Sequence, residues 1–362
     1  MDAPRITAIE PILIKLPLER PIEGPFGRLD ARPNLLIRAT LESGEVGLGE
    51  VWANFPPWGC EERVAIVRHV LAPVLVGRPL ADPAACYPLM HARARLLANQ
   101  WGAPGPVHQA IAGVDIALWD VHARARAVTL RDLLLGRPAP DRVPVYASGL
   151  GPHDTGGLID RARAAGHRRF KVRVAFGPAV DPMTLADGRK AAGDAPLMAD
   201  ANQTLDAERL AALGPAIAAA RLDWFEEPFP VDDVRAYRDW PLATPLAFGE
   251  NAVGEDGIAE VIAMGAAVVQ PDITKTGGIT GGLAMGRRAI AAGRRLCFHM
   301  FGGAVGLWAS AQLAAALPGA DWVEMDGNPN PLLTRTLDVT PRVVDGDLIL
   351  PPGPGLGVTL VG

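Results

Sequence analysis

The chain has 362 residues, 49% of them apolar and 21% charged, with a formal net charge of −5. That length exceeds one ordinary core but fits a barrel of about 250 residues with a smaller attached domain, and the acidic balance gives no basis for nucleic acid or an anionic membrane as a partner. The most apolar window, residues 304–317, contains Ser310 and Gln312 and is too short to span a bilayer, so it reads as a buried barrel helix.

The N-terminus meets Asp2, Pro4 and Arg5 before any apolar run, so no secretory signal is expected and a cytoplasmic location is. Cys60, Cys86 and Cys297 are far apart, odd in number and without zinc-ligand spacing, which fits reduced thiols. Cys297 stands two residues before His299 on an apolar run and reads as a buried structural thiol, not a nucleophile.

Residues 5–16, 34–41 and 46–51 alternate or run apolar at strand length, with short turns and no helix between them. They predict an antiparallel meander. Helical patterns follow at about 61–75, 82–99 and 106–127, making an α+β domain over residues 1–127. Two stretches of it, 21–30 and 51–59, read as loops. The second is rich in Trp52, Phe55 and Trp58, and suits either an aromatic lid over a site or packing on its own domain.

From Val143 the pattern becomes strand then helix, repeated, with strands near residues 143–147, 169–174, 197–200, 223–226, 246–250, 268–272, 296–299 and 322–324. Eight such strands predict a closed parallel barrel over residues 128–335. The overall class is α/β, a modified TIM barrel of (β/α)7β type with an N-terminal α+β capping domain. A short tail, 336–362, holds two apolar runs and is expected to pack back on the capping domain.

Three of the barrel strands run apolar residues into an acid: Met198-Ala199-Asp200, Trp224-Phe225-Glu226 and Phe248-Gly249-Glu250. In a parallel barrel such strand ends share one rim. Three carboxylates brought together repel one another unless a cation lies between them, and oxygen ligands with open positions suit Mg²⁺, with Mn²⁺ as the alternative. Read in order, the rim also offers Lys171 and Arg173, two apart and so on one face, then Asn202, Asp272, His299 and Glu324.

These motifs resemble the enolase superfamily, and within it the mandelate racemase subgroup. They are Lys171-Val-Arg173, Asp200-Ala-Asn202-Gln203, Glu226-Glu227-Pro228, Gly249-Glu250-Asn251, Pro271-Asp272-Ile-Thr-Lys275-Thr-Gly277-Gly278 and His299-Met-Phe. The resemblance covers almost the whole chain. It implies that Asp200, Glu226 and Glu250 bind Mg²⁺, that His299 is a general base oriented by Asp272, and that Lys171 sits against a substrate carboxylate. Glu324 would donate a hydrogen bond to the same group, which requires a raised pKa. Asn202 would contact the α-substituent or a metal-bound water, and a homo-oligomer, dimer or octamer, is implied.

The residue types suit removal of a proton next to a carboxylate, because a divalent ion and Lys171 at the carboxylate oxygens stabilise the dianionic enediolate more than the ground state. Racemases of the subgroup carry lysine where this chain has Arg173, and a guanidinium stays protonated at any working pH. With one base, His299, β-elimination of water from a sugar acid remains workable. The expectation is an acid-sugar dehydratase, with a racemase or epimerase as the alternative; a non-catalytic sensor fits the intact Asp272 and His299 poorly. Lys275 matches a lysine that is the base in other subgroups, and here it reads as supporting, in contact with substrate together with Trp52.

Overall fold

The structure is a computed structural model that describes residues 3–24, 27–56 and 58–361. It begins with an antiparallel sheet, β1 (Ile6–Gly24), β2 (Gly27–Leu41) and β3 (Val46–Val51), in that spatial order. One face of the sheet buries Ile9, Leu35, Ile37 and Val51 against α1 (Cys60–Ile66), α2 (Ala72–Leu75), α3 (Cys86–Trp101) and α4 (Pro104–Arg124). Strand β3 lies directly on the backbone of α4. A Cβ at Gly49 would come within 1.9 Å of the Gly113 carbonyl oxygen, so glycine at 49 permits the contact that fixes where the chain leaves β3.

Residues 21–30, expected as a loop, are largely the far end of the β1–β2 ribbon: Ile22 pairs with Leu29 and Glu23 with Arg28. Pro21 lies on β1, an edge strand of this sheet, where a missing N–H costs no ladder bond. Pro25 and Phe26, with Pro57 of the 51–59 stretch, lie outside the described residues.

After α5 (Leu130–Leu135) come the barrel strands β4 (Arg142–Leu150), β5 (Phe170–Arg173), β6 (Leu197–Asp200), β7 (Phe225–Glu226), β8 (Leu246–Phe248), β9 (Val268–Val269), β10 (Arg295–Phe298) and β11 (Ala320–Asp326). All neighbours are parallel, and β11 pairs with β4 to close the ring. The helices between them are α6 (Thr155–Ala164), α7 (Asp181–Ala192), α8 (Ala207–Ala220), α9 (Val234–Arg238), α10 (Gly254–Ala263), α11 (Gly278–Ala291) and α12 (Ala304–Ala315). This is the (β/α)7β barrel, and α12 is buried along nearly its whole length. A short α13 (Pro331–Thr334) follows, then β12 (Val343–Val344) and β13 (Asp347–Ile349), which pairs antiparallel with the start of β4. Beyond it the Leu356 N–H donates to Asp120 on α4 at 2.6 Å, so the tail touches both the barrel and the first domain.

Side chains alternate along each barrel strand, and the alternation builds the site. Tyr146, Met198, Trp224, Ala247, Val268 and Cys297 form a dry cluster inside the barrel, with Trp322 packed against it, while Phe170, Leu197, Phe225, Phe248 and Phe298 face the helices. Two residues further along the strands of this inner cluster come Ser148, Asp200, Glu226, His299 and Glu324. Polar groups therefore stand directly above the plug, as the Trp224 Nε1–H donating to Glu226 at 3.1 Å shows. Cys297 is a free, buried thiol of the plug, with its pKa pushed up by burial. No helix of the described residues is long and apolar enough to cross a membrane.

Candidate active site

Register sets the first half of the rim. Arg173 lies opposite Asp200 and Asp200 opposite Glu226 on adjacent strands, so these three arrive side by side. Lys171, 1% exposed, pairs with Glu226 and lies 2.9 Å from Glu324 and 3.6 Å from Asp200. Burial works against the ammonium, but Glu226 and Glu324 outweigh it and hold its pKa well above the ordinary lysine value. Asn202, in a left-handed turn at φ 44°, donates its side-chain amide to Asp200 at 2.9 Å.

The second half is built on the extensions of β9 and β10. The His299 N–H donates to the Pro271 carbonyl at 3.2 Å, which sets the imidazole beside Asp272. Nδ1 of His299 lies 2.7 Å from one Asp272 oxygen, and the other oxygen accepts from the Thr274 N–H and hydroxyl, each at 2.7 Å. Nε2 is 2.9 Å from Glu250 and 3.5 Å from Glu324. Burial opposes a charged ring, yet Glu250, Glu324 and Asp272 raise its pKa well above the usual histidine value. Glu250 also takes the Lys275 ammonium at 2.5 Å, and Lys275 reaches Asn251 at 2.9 Å.

Of the aromatic stretch, Trp52 comes to this side: Lys275 Nζ lies 4.6 Å from its ring centroid and its backbone N–H donates to Thr274 at 3.0 Å, whereas Trp58 is exposed. Arg173 lies over the Phe301 ring at 5.5 Å, and Arg32 over the same ring at 4.7 Å while pairing with the buried Asp326.

One sequence expectation is corrected here. Glu324 was expected to carry a raised pKa and donate. Burial does push it up, but Lys171 and His299 prevail and hold the carboxyl below its ordinary range, so it accepts, including from the Met300 N–H at 3.1 Å. Sequence reasoning also passed over Glu227, buried and bonded by Gln203 at 2.8 Å, and Glu50, 2% exposed, which reaches the His299 loop from β3. Glu50 has the signal that flags the barrel acids, an apolar run ending in a carboxylate.

The donors available for a cation are carboxylate oxygens, the chemistry of a hard divalent ion. Burial first, then Asp200 and Glu324, push Glu226 up to about 7 against the pull of Lys171; burial and Glu250 raise Asp200. Those buried acids are short of positive charge, and a divalent ion fits that deficit. Among the described residues no three such groups converge at ligating distance, and Glu250 is turned to Lys275 and His299.

A closed barrel with acids on its C-terminal rim, faced by a His–Asp pair and covered by an α+β domain, defines an enzyme class. Residues 157–361 match the family described as Enolase C-terminal domain-like, and residues 8–136 match Mandelate racemase / muconate lactonizing enzyme, N-terminal domain. The chain belongs to the enolase superfamily, in its mandelate racemase subgroup. It is 29% identical to D-galactarolactone cycloisomerase of Agrobacterium fabrum and 31% identical to muconate cycloisomerase 1 of Rhodococcus opacus, with 98% of this chain and 96% of each relative covered. Arabinonate dehydratase of Saccharolobus solfataricus is 27% identical over 92% of this chain and 90% of its own.

Among solved structures, a mandelate racemase/muconate lactonizing enzyme from Bordetella bronchiseptica superposes with a TM-score of 0.88 at 37% identity, covering 99% of this chain and 97% of that one. A racemase from Streptomyces coelicolor with bound magnesium gives 0.87 at 25% identity, covering 98% and 97%. Abstraction of a proton from an acid is the chemistry supported at the level of the superfamily.

Proposed function

We propose that the protein is a hydro-lyase that removes the α-proton of a sugar acid and expels the β-hydroxyl as water, giving a 2-keto-3-deoxy acid. The observation that carries this reading is the His299–Asp272 pair at 2.7 Å, combined with arginine, not lysine, at 173. In it Asp200, Glu226 and Glu250 would hold Mg²⁺, or Mn²⁺ in its place, and the ion would supply a Lewis acid for the substrate carboxylate.

Asp272 occupies Nδ1 and fixes the tautomer, and with Glu250 turned to the ion, Nε2, 2.9 Å from that carboxylate in this structure, would face the substrate. Nε2 takes the α-proton, the electron pair of that bond forms the enediolate, and the ring then returns the proton to the β-oxygen as its bond to carbon breaks. Lys171 meets the charge that grows on the carboxylate, and Glu324, held ionised, aims Lys171. Lys275 and Trp52 line the side of Glu250, and Asn202 the side of Asp200. The enol product tautomerises to the ketone.

A second reading rests on the names of two relatives, both cycloisomerases. The same dyad serves when the departing β-oxygen belongs to a lactone ring, and the product is then an isomer. A panel of mono- and diacid sugars and their lactones, incubated with enzyme and Mg²⁺, tests both. A keto acid lighter by one water supports the hydro-lyase, an isomeric acid supports the cycloisomerase, and α-proton exchange from both epimers without elimination overturns both in favour of a racemase.

A further inference from the structure

Residues 300–303 lead from His299 into α12, and they include the adjacent glycines Gly302 and Gly303. Gly303 is the N-cap of α12 and has no side chain to cap it, so the first N–H groups of the helix need acceptors from elsewhere. They find them in the other domain. One Glu50 oxygen accepts from the Gly303 N–H at 2.5 Å and the other from the Gly306 N–H at 2.8 Å.

The fit leaves no room for substituents. A Cβ at Gly302 would lie 2.6 Å from one Glu50 oxygen, and a Cβ at Gly303 2.9 Å from the other. Four residues on, Asn54 donates its amide to the Phe301 carbonyl, and between them the Trp52 N–H holds Thr274, whose hydroxyl and N–H fix Asp272. The exit of β3 thus grips the loops of both dyad members. The pattern recurs on the neighbouring helix: Asp115 of α4 accepts from the Thr280 N–H at 2.9 Å in the first turn of α11, the helix that follows Asp272 and Lys275.

We propose that Glu50 is a positioning residue for His299, the capping domain using this carboxylate on the first turn of α12 to fix the backbone that aims the imidazole into the pocket. This rests on His299 being the base. A carboxyl group suits the place because it offers one oxygen to each of two N–H groups in the first turn of the helix. Glutamine keeps the shape but presents an NH₂ where one of the two backbone N–H groups needs an oxygen.

The test uses the Mg²⁺-loaded enzyme with labelled histidine, reading the ring-nitrogen shifts of His299, assigned by the peak lost in His299→Asn. In Glu50→Gln the His299 peaks are expected to shift or broaden, and with a turned-over substrate kcat falls while KM holds. Wild-type peaks and kcat in a folded Glu50→Gln, with only a lowered melting temperature, reduce Glu50 to a helix cap and overturn the proposal. If Glu50→Gln does not fold, Glu50→Asp keeps the carboxyl group and withdraws it by one methylene; the same shift supports the proposal and unchanged peaks sink it. Failure of the base assignment shows separately, as α-proton exchange surviving in His299→Asn.

Discussion

Nδ1 of His299 lies 2.7 Å from Asp272, whose other oxygen is saturated by Thr274, so the pair has one orientation, with Nε2 turned to Glu250 at 2.9 Å. Replacing His299 by Asn removes the proton acceptor without adding charge. Turnover and α-proton exchange should fall by about 10²–10⁴-fold, while calorimetric Mg²⁺ affinity stays within a few-fold of wild type. Retained exchange would remove His299 from the role of base.

Glu250 is the candidate ligand engaged by both Lys275 and His299. Glu250→Gln should weaken Mg²⁺ binding and activity together, and a chelator should abolish wild-type activity until Mg²⁺ or Mn²⁺ is restored. An unchanged ion affinity in the variant would show that this carboxylate is not a ligand.

Arg173 shares the β5 face with Lys171 and lies opposite Asp200. Arg173→Lys places a titratable amine there, and the expected outcome is new deuterium incorporation from the epimer that the wild type leaves untouched. If neither exchange nor turnover changes, arginine at this position does not separate elimination from racemisation.

His167 provides a pH test away from the site. It is 4% exposed, its Nδ1 has no partner, and burial lowers its pKa from 6.5 to about 4. The folded ring stays neutral where the unfolded one takes a proton, so its contribution is complete above pH 6.5 and is lost as pH falls toward 4. Its full size is roughly 3 kcal/mol. His91 and His122 shift in the same direction, so the comparison is with His167→Leu: the stability gap between wild type and variant should narrow from pH 7 to pH 4.5. A gap independent of pH refutes the neutral ring.

What the sequence reveals here follows from what is periodic. The strands of the barrel and the acids at their ends repeat at intervals of one βα unit, and Lys171 and Arg173 are two apart on one strand, so rim and residues could both be read. Contacts between domains have no such period. Glu50 meets Gly303 across 253 positions and Asp115 meets Thr280 across 165, and neither separation leaves a mark in local pattern. The Glu324 pKa was misjudged for a related reason: its sign depends on where the Lys171 ammonium comes to rest, and a strand pattern fixes a side-chain face but not a distance.

Below the polar layer, Tyr146, Met198, Trp224 and Cys297 stop the barrel like a cork, with the Trp224 and Trp322 rings 5.4 Å apart. A molecule that reaches Lys171 from the rim finds no passage onward and must go back out through the doorway by which it came. Entry and exit therefore share the rim face of the barrel.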